Sequence, residues 1–102
     1  MRVVIAPTTA AATAVMTFDR YNYDFPGYIY IIGTVTSETV SLQRATVADP
    51  SPTNDGHWVA ITEGNLTWSL SSTNSTQLIK GGMTIRVVKT SSGGNSFGIG
   101  YY

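Results

Sequence analysis

The sequence predicts an all-β protein, an antiparallel, jelly-roll-like β-sandwich of about eight short strands. Short segments rich in β-branched and aromatic residues recur along all 102 residues, and Gly27–Gly33 and Met83–Lys89 are the clearest. Turn-forming residues separate these segments at intervals of roughly 8–12 residues, which is typical of sandwiches and small barrels. The segment that best tolerates a helix, Thr8–Ala14, lacks an amphipathic stripe.

The first third of the chain carries three strand segments. Arg2–Ala6 forms either a short strand or an extended arm, and we expect Pro7 to end it. Strand character resumes over Ala14–Phe18, and Asp19–Pro26 is a turn. Gly27–Gly33 is apolar at every position between its two glycines. That pattern predicts a strand covered on both faces.

The middle of the chain combines a half-solvated strand with an irregular loop. Thr39–Thr46 alternates, with Val40 and Leu42 on the same face. Asp49–Gly56 contains two prolines and an Asp-Gly pair, so we expect a turn-rich loop there. His57–Thr62 is the next predicted strand.

The last third contributes four more strands. Glu63–Asn65 is a tight turn into Leu66–Leu70, where the two leucines and Trp68 are expected to share a face. Three strands follow: Gln77–Lys80, Met83–Lys89 and, after a Gly/Ser loop at Thr90–Ser96, Phe97–Tyr102. We therefore expect one domain, residues 1–102, whose residues 1–14 form an N-terminal arm or an edge strand.

Composition excludes several classes of function. Charged residues make up 12% of the chain and the formal net charge is zero. The basic residues are scattered, so we expect no nucleic-acid partner. The chain lacks cysteine, which removes disulfides and thiolate metal sites. No apolar run approaches the roughly 20 residues of a membrane helix, and the N-terminus is too quickly polar for a signal peptide. A near-neutral surface also favours association with partners.

Two groups of chemically capable residues have ordinary structural explanations. His57 would need an orienting carboxylate and a nucleophile for catalysis, and no nucleophile motif is present. Asp49, Asn54 and Asp55 offer fewer oxygen ligands than calcium requires, and turn formation explains them. Nothing singles out two acids for glycoside hydrolysis. We expect no catalytic residue, no metal and no cofactor.

The order of short motifs along the chain resembles that of small virion structural proteins of tailed bacteriophages. The motifs span residues 25–102 and are Phe25–Tyr28, Glu38–Gln43, His57–Val59, Leu70–Asn74, Gly82–Val87 and Phe97–Tyr102. The longer loop at Asp49–Gly56 and the Ala/Thr-rich N-terminal part depart from the pattern. The resemblance implies a head decoration, or cement, protein with a jelly-roll-like fold.

Such a protein would have no substrate and would bind the lattice of the major capsid protein. The resemblance further implies a homo-oligomer, with a trimer favoured, made in the host cytoplasm and located on the capsid surface. We expect the N-terminal segment or a neighbouring strand edge, together with aromatics before Pro26, to contact the capsid. The residues so assigned are Arg2, Val3, Val4, Ile5, Tyr21, Tyr23 and Phe25.

The alternative function is a carbohydrate-binding module or the tip of a host-recognition fibre. In that case Trp58, or the aromatics from Tyr21 to Tyr30, would stack on sugars.

Overall fold

A computed structural model describes residues 2–18, 27–79, 83–90 and 94–101 of the chain. These residues form eleven β-strands and one 3₁₀ helix: β1 Arg2–Thr8, β2 Ala12–Phe18, β3 Gly27–Gly33, β4 Val40–Ala45, the 3₁₀ helix Asp55–His57, β5 Trp58–Ala60, β6 Thr62–Glu63, β7 Leu66–Thr67, β8 Ser69–Leu70, β9 Thr76–Ile79, β10 Met83–Lys89 and β11 Phe97–Tyr101. In this described part of the chain, no helix has the length and apolar character needed to span a membrane.

The strands form two stacked sheets and a small hairpin. The first sheet has the order β1-β11-β3-β9. The second has the order β2-β10-β4, and the far edge of β4 is shared by β5 and β8. A separate hairpin joins β6 to β7. Every pair of neighbouring strands is antiparallel.

The strand pairs are nested along the chain, and this nesting defines a jelly roll. The innermost pair is β4 with β5 and β8, and around it lie β3 with β9, β2 with β10 and β1 with β11. Folding this long hairpin over on itself adds the β10–β4 and β11–β3 pairs, which complete the two sheets. The predicted all-β, jelly-roll-like sandwich is confirmed.

The core lies between the sheets and is made by alternate residues of the long strands. Ile85 and Val87 of β10 and Phe97 and Ile99 of β11 are fully buried and belong to one hydrophobic cluster. The other buried members of this cluster are Ile5, Met16, Ile29, Val40, Leu42, Ile61, Leu70 and Ile79. The prediction that Val40 and Leu42 of β4 share a face is therefore confirmed, and both are buried.

The N-terminal segment is an edge strand rather than an arm, and Pro7 does not end it. β1 continues to Thr8, because proline is tolerated in edge strands and at bulges, and Pro7 lies where the pairing with β11 is irregular. Its pairing with β11 shifts register between Val3 and Ile5 and again before Thr8. β2 begins at Ala12, two residues before the predicted start. The predicted turn over residues 19–26 lies outside the described residues.

The segment predicted as one strand from Leu66 to Leu70 is two short strands in different sheets. Leu66 stands on the β6–β7 hairpin and is 73% exposed, whereas Leu70 is buried beside β4. Between them, the Trp68 amide donates to the carbonyl of Ile61 at 2.8 Å. The two leucines therefore do not share a face. The predicted strand His57–Thr62 is likewise divided, into the end of the 3₁₀ helix, β5 and the start of β6.

Gly98 lets β1 approach β11 at the irregular part of their pairing. A Cβ atom at this position would overlap the carbonyl oxygen of Ile5 and lie 2.8 Å from the nitrogen of Pro7. Both are main-chain atoms, so the contact could be relieved only by moving β1 away from β11.

We predict that Gly98→Ala destabilises the protein by about 1–3 kcal/mol, the usual cost of overpacking. Gly94→Ala is the matched control, because a Cβ there meets nothing within 4 Å. Urea unfolding followed by tryptophan fluorescence would measure both. Equal stability of the two variants would contradict the close approach of β1.

Candidate interaction surface

The outer face of the first sheet carries mainly apolar side chains. One row runs across it through Val3 on β1, Gly100 on β11 and Tyr30 on β3, and it ends at the polar Thr76 on β9. A second row pairs Tyr28 of β3 with Leu78 of β9. Val3 is 49% exposed and Tyr28 is 37% exposed. We refer to Val3, Tyr28, Tyr30, Ile32 and Leu78 as the outer apolar face.

The side chains of Tyr30 and Ile32 lie across β11, which presents only glycines on this face. A Cβ at Gly100 would lie 2.9 Å from Tyr30 Oη and 3.0 Å from Ile32 Cδ1. Tyr30 and Ile32 therefore cover β11 closely and are half-buried, which leaves a smooth surface. The sequence predicted that β3 would be covered on both faces, and for the described residues this is wrong, since Tyr28 is open to solvent.

Charge is kept to the border of the outer apolar face, whose five members are all uncharged. Arg2 lies at the corner where β1 begins, and its Nη1 donates to Tyr101 Oη at 3.0 Å. Its guanidinium also lies 5.9 Å from the centroid of the Tyr101 ring. A contiguous apolar patch with a polar border is a common feature of protein-binding surfaces.

The structure divides the four N-terminal residues that the sequence assigned to partner binding. Arg2 and Val3 are exposed, and Val3 belongs to the outer apolar face. Val4 packs against the core, and Ile5 is part of it. The other three assigned residues, Tyr21, Tyr23 and Phe25, lie outside the described residues.

His57 is half-buried and holds the loop that precedes β5. Its Nδ1 accepts a hydrogen bond from the Ser51 amide at 2.9 Å, and its carbonyl accepts from the Thr46 amide at 2.9 Å. Trp58 closes the same loop, since its Nε1 donates to the carbonyl of Ser51 at 2.8 Å. His57 therefore has a structural role at the junction of this loop with β5.

Arg86 fixes this loop to the outer face of the second sheet. Its Nε donates to Gln43 Oε1 at 2.7 Å, and its Nη1 donates to the carbonyl of Pro52 at 3.0 Å. The same Nη1 lies 3.0 Å from Asp55 Oδ1. The guanidinium also lies 5.3 Å from the centroid of the Trp58 ring. Hydrogen bonds and packing bury this arginine almost completely.

The acidic and amide groups of the loop have protein partners. Asn54 Oδ1 accepts from the Gly56 amide at 3.0 Å, which caps the 3₁₀ helix. Asp55 pairs with Arg86. Among the described residues no group of three or more His, Cys, Asp or Glu side chains converges to hold a metal ion. The turn-forming role that the sequence predicted accounts for the contact of Asn54, whereas the pair of Asp55 with Arg86 joins the loop to β10.

The two tryptophans occupy different environments. Trp58 is buried beneath Arg86, so its ring is not available to stack on a sugar. Trp68 is half-buried and lines a groove of about 560 Å³ with Val59, Met83 and Arg44. Trp58 therefore has no exposed ring with which to stack on a sugar, as the alternative function requires.

Lys89 joins the two sheets at one end of the core. Its ammonium donates to the carbonyls of Thr8 and Ala10, the latter at 2.9 Å. It also lies 4.4 Å from the centroid of the Phe97 ring on β11. Burial lowers the pKa of Lys89 below its ordinary value, because removal from water disfavours the charged form. Sequence alternation places this residue on the inward face, but a lysine is not normally assigned to a core.

We predict that Arg86→Leu destabilises the protein by about 2–3 kcal/mol, because it removes charge-assisted hydrogen bonds to Gln43 and Pro52. Asp55→Asn should change stability by less than about 0.5 kcal/mol, since Asp55 is 91% exposed and exposed ion pairs contribute little. Chemical denaturation of both variants would test the difference. A larger effect of Asp55→Asn would contradict it.

We also predict that Lys89→Met costs about 1–3 kcal/mol at neutral pH, because it leaves two carbonyls without their donor. The lowered pKa adds a pH dependence. At pH values between the lowered pKa of Lys89 in the folded protein and its ordinary pKa of 10.5, the unfolded chain binds more protons than the folded one. The free energy of unfolding therefore rises with pH in this range.

The gap in unfolding free energy between wild type and Lys89→Met should therefore widen as pH rises from neutral toward 10.5. Urea unfolding at several pH values would measure this gap. A gap that stays constant or narrows would contradict the burial of a charged Lys89.

Comparison of the chain with protein-family models, with curated proteins and with solved structures finds no match.

Proposed function

We propose that this protein is a non-enzymatic structural component of a tailed-bacteriophage virion and that it decorates the assembled head. The order of its sequence motifs resembles that of such proteins. The nested jelly-roll arrangement is one that viral capsid domains use. The observation that carries the proposal is the outer apolar face, an uncharged surface on a rigid four-stranded sheet.

This face is suited to binding a large partner. Tyr28 supplies a rigid aromatic side chain at small cost in conformational entropy, and tyrosines are enriched among residues that dominate binding energy. Leu78 lies directly opposite Tyr28 on the next strand, so both can be covered at once. Each Å² of apolar surface that the partner covers contributes about 25 cal/mol to the free energy of binding, before the costs of association are subtracted.

The proposed partner is the lattice of the major capsid protein on the capsid surface, where the protein would act after synthesis in the host cytoplasm. A protein that binds only the assembled lattice stabilises it by mass action. Four ionisable side chains of the loop and core are engaged in internal contacts, which supports a binding role over a catalytic one. They are those of Arg86, Asp55, His57 and Lys89.

Co-sedimentation with empty heads tests the proposal. The heads are assembled from the major capsid protein encoded in the same genome. We predict that Tyr28→Ser combined with Leu78→Ser weakens binding at least tenfold, since each truncation removes an apolar anchor worth about 1 kcal/mol or more. The matched control combines Val47→Ser with Val59→Ser, two exposed valines outside this face.

Equal loss of binding in both double variants would contradict the assignment of this face. A wild-type protein that does not bind the heads would overturn the proposed function. So would the lack of a capsid gene in the same genome. Binding to a glycan array that Trp68→Ala abolishes would favour the carbohydrate-binding alternative.

A further inference from the structure

We infer that the edge strand β2 pairs with β2 of a second copy of this chain. The second sheet would then continue across a two-fold axis that passes through Val15. This contact lies on the edge of the second sheet, and the outer apolar face belongs to the first sheet, although Val3 also lines the groove beside β2. The inference therefore goes beyond the proposed function, and it replaces the trimer that the resemblance implies with a dimer.

β2 is an open and regular edge. It pairs with β10 in seven consecutive positions without a register shift, from Ala12 opposite Lys89 to Phe18 opposite Met83. Among the described strands β10 is its only partner. In an antiparallel strand every second residue directs its amide and carbonyl away from a given neighbour. Half of the main-chain groups of β2 therefore face the open side.

The other sheet edges carry the features by which proteins block strand addition. β1 contains Pro7 and two shifts in register. β9 has four residues, and β5 and β8 have three and two. Short strands, proline and irregular pairing all protect an edge. β2 has seven residues with no proline, no glycine and no charge, so of these edges it is the one suited to pairing.

The charged neighbours of β2 point away from its open edge. Arg86 is the cross-strand partner of Val15, but its guanidinium extends toward Gln43 on β4. Lys89 is the partner of Ala12, and its ammonium is bound within the core. Thr17 shares a side-chain hydrogen bond with Thr84 on β10. Neither of these charges on β10 would therefore meet its own copy across the axis. Arg2 lines the groove next to Val15, and its Nη1 donates to Tyr101 Oη.

The sequence of β2 is complementary to itself when Val15 lies on the axis. This register places Thr13 opposite the partner's Thr17 on the outer side and Ala14 opposite the partner's Met16 on the core side. Threonine pairs and pairs of small with large apolar residues are both favourable across antiparallel strands. The two valines meet at the centre, and all seven residues of each strand take part.

A groove of mixed polar and apolar lining borders β2. It has a volume of about 390 Å³ and lies between β1 and β2, where Arg2, Val4, Ala14 and Thr17 contribute to its lining. Val15 also lines it and is 37% exposed. The occupant favoured for the edge is a second copy, because the sequence of β2 is complementary to itself in this register and such an isologous contact closes on itself.

The mass of the protein in solution tests the inference. We predict that the wild type sediments as a dimer with twice the 10.9 kDa mass of one chain. Val15→Glu should convert the dimer to a monomer, because two carboxylates would face each other at the axis. Val59→Glu is the matched control: Val59 is 39% exposed and lies on β5, at the opposite edge of the same sheet.

A wild type that stays monomeric at high concentration would overturn the inference. A trimer would overturn it too, because a two-fold contact alone produces dimers. A dimer that Val15→Glu does not weaken would also exclude β2 as the contact.

Disulfide trapping gives a readout that does not depend on the behaviour of a charged variant. The chain has no cysteine, so Val15→Cys introduces a single thiol at the axis. Residues directly opposite each other have Cβ atoms about 4.5–5.5 Å apart, close to the separation that a disulfide spans. Mild oxidation should link this variant as a dimer much faster than Val59→Cys. Equal rates for the two variants would contradict pairing through β2.

Discussion

The arrangement of the first sheet depends on two positions of its central strand that have no side chain. At Gly98 the main chain of β1 comes so close that a Cβ would overlap Ile5 O. At Gly100 the side chains of Tyr30 and Ile32 lie directly over β11. The same two glycines therefore allow β1 to pair and make the outer face smooth, so the shape of the candidate surface and the pairing of the sheet have a common cause.

Two of the few charged residues of this chain are buried, so they contribute no charge to its outer surfaces. Of the six basic residues, Arg86 and Lys89 are both buried, the first under the loop before β5 and the second between the sheets. Each is satisfied by main-chain carbonyls, of Pro52 for Arg86 and of Thr8 and Ala10 for Lys89. Their hydrogen bonds hold the loop and the end of β1 in place, and their charges do not add to the hydration of the outer surfaces.

The sequence was sufficient for the all-β class, since the period-two alternation of β4 and β10 and the turn residues between strands are local signals. It was insufficient where long-range contacts decide the structure. An edge strand was one of two predictions for the N-terminal segment, but the irregular pairing with β11 that accommodates Pro7 has no local signal. Leu66 and Leu70 separate because the Trp68 amide binds Ile61. Val3 was assigned to partner binding and is exposed, but the other members of the outer apolar face come from β3 and β9.

Cover of the outer apolar face by a partner is the central claim about this protein. Hydroxyl-radical footprinting of the free protein and of the protein bound to heads tests this claim residue by residue. We predict that Tyr28 and Leu78 become protected from oxidation on binding, while Val59, which is exposed on β5 of the second sheet, reacts equally in both states. Protection of Val59 with undiminished oxidation of Tyr28 would contradict the claim.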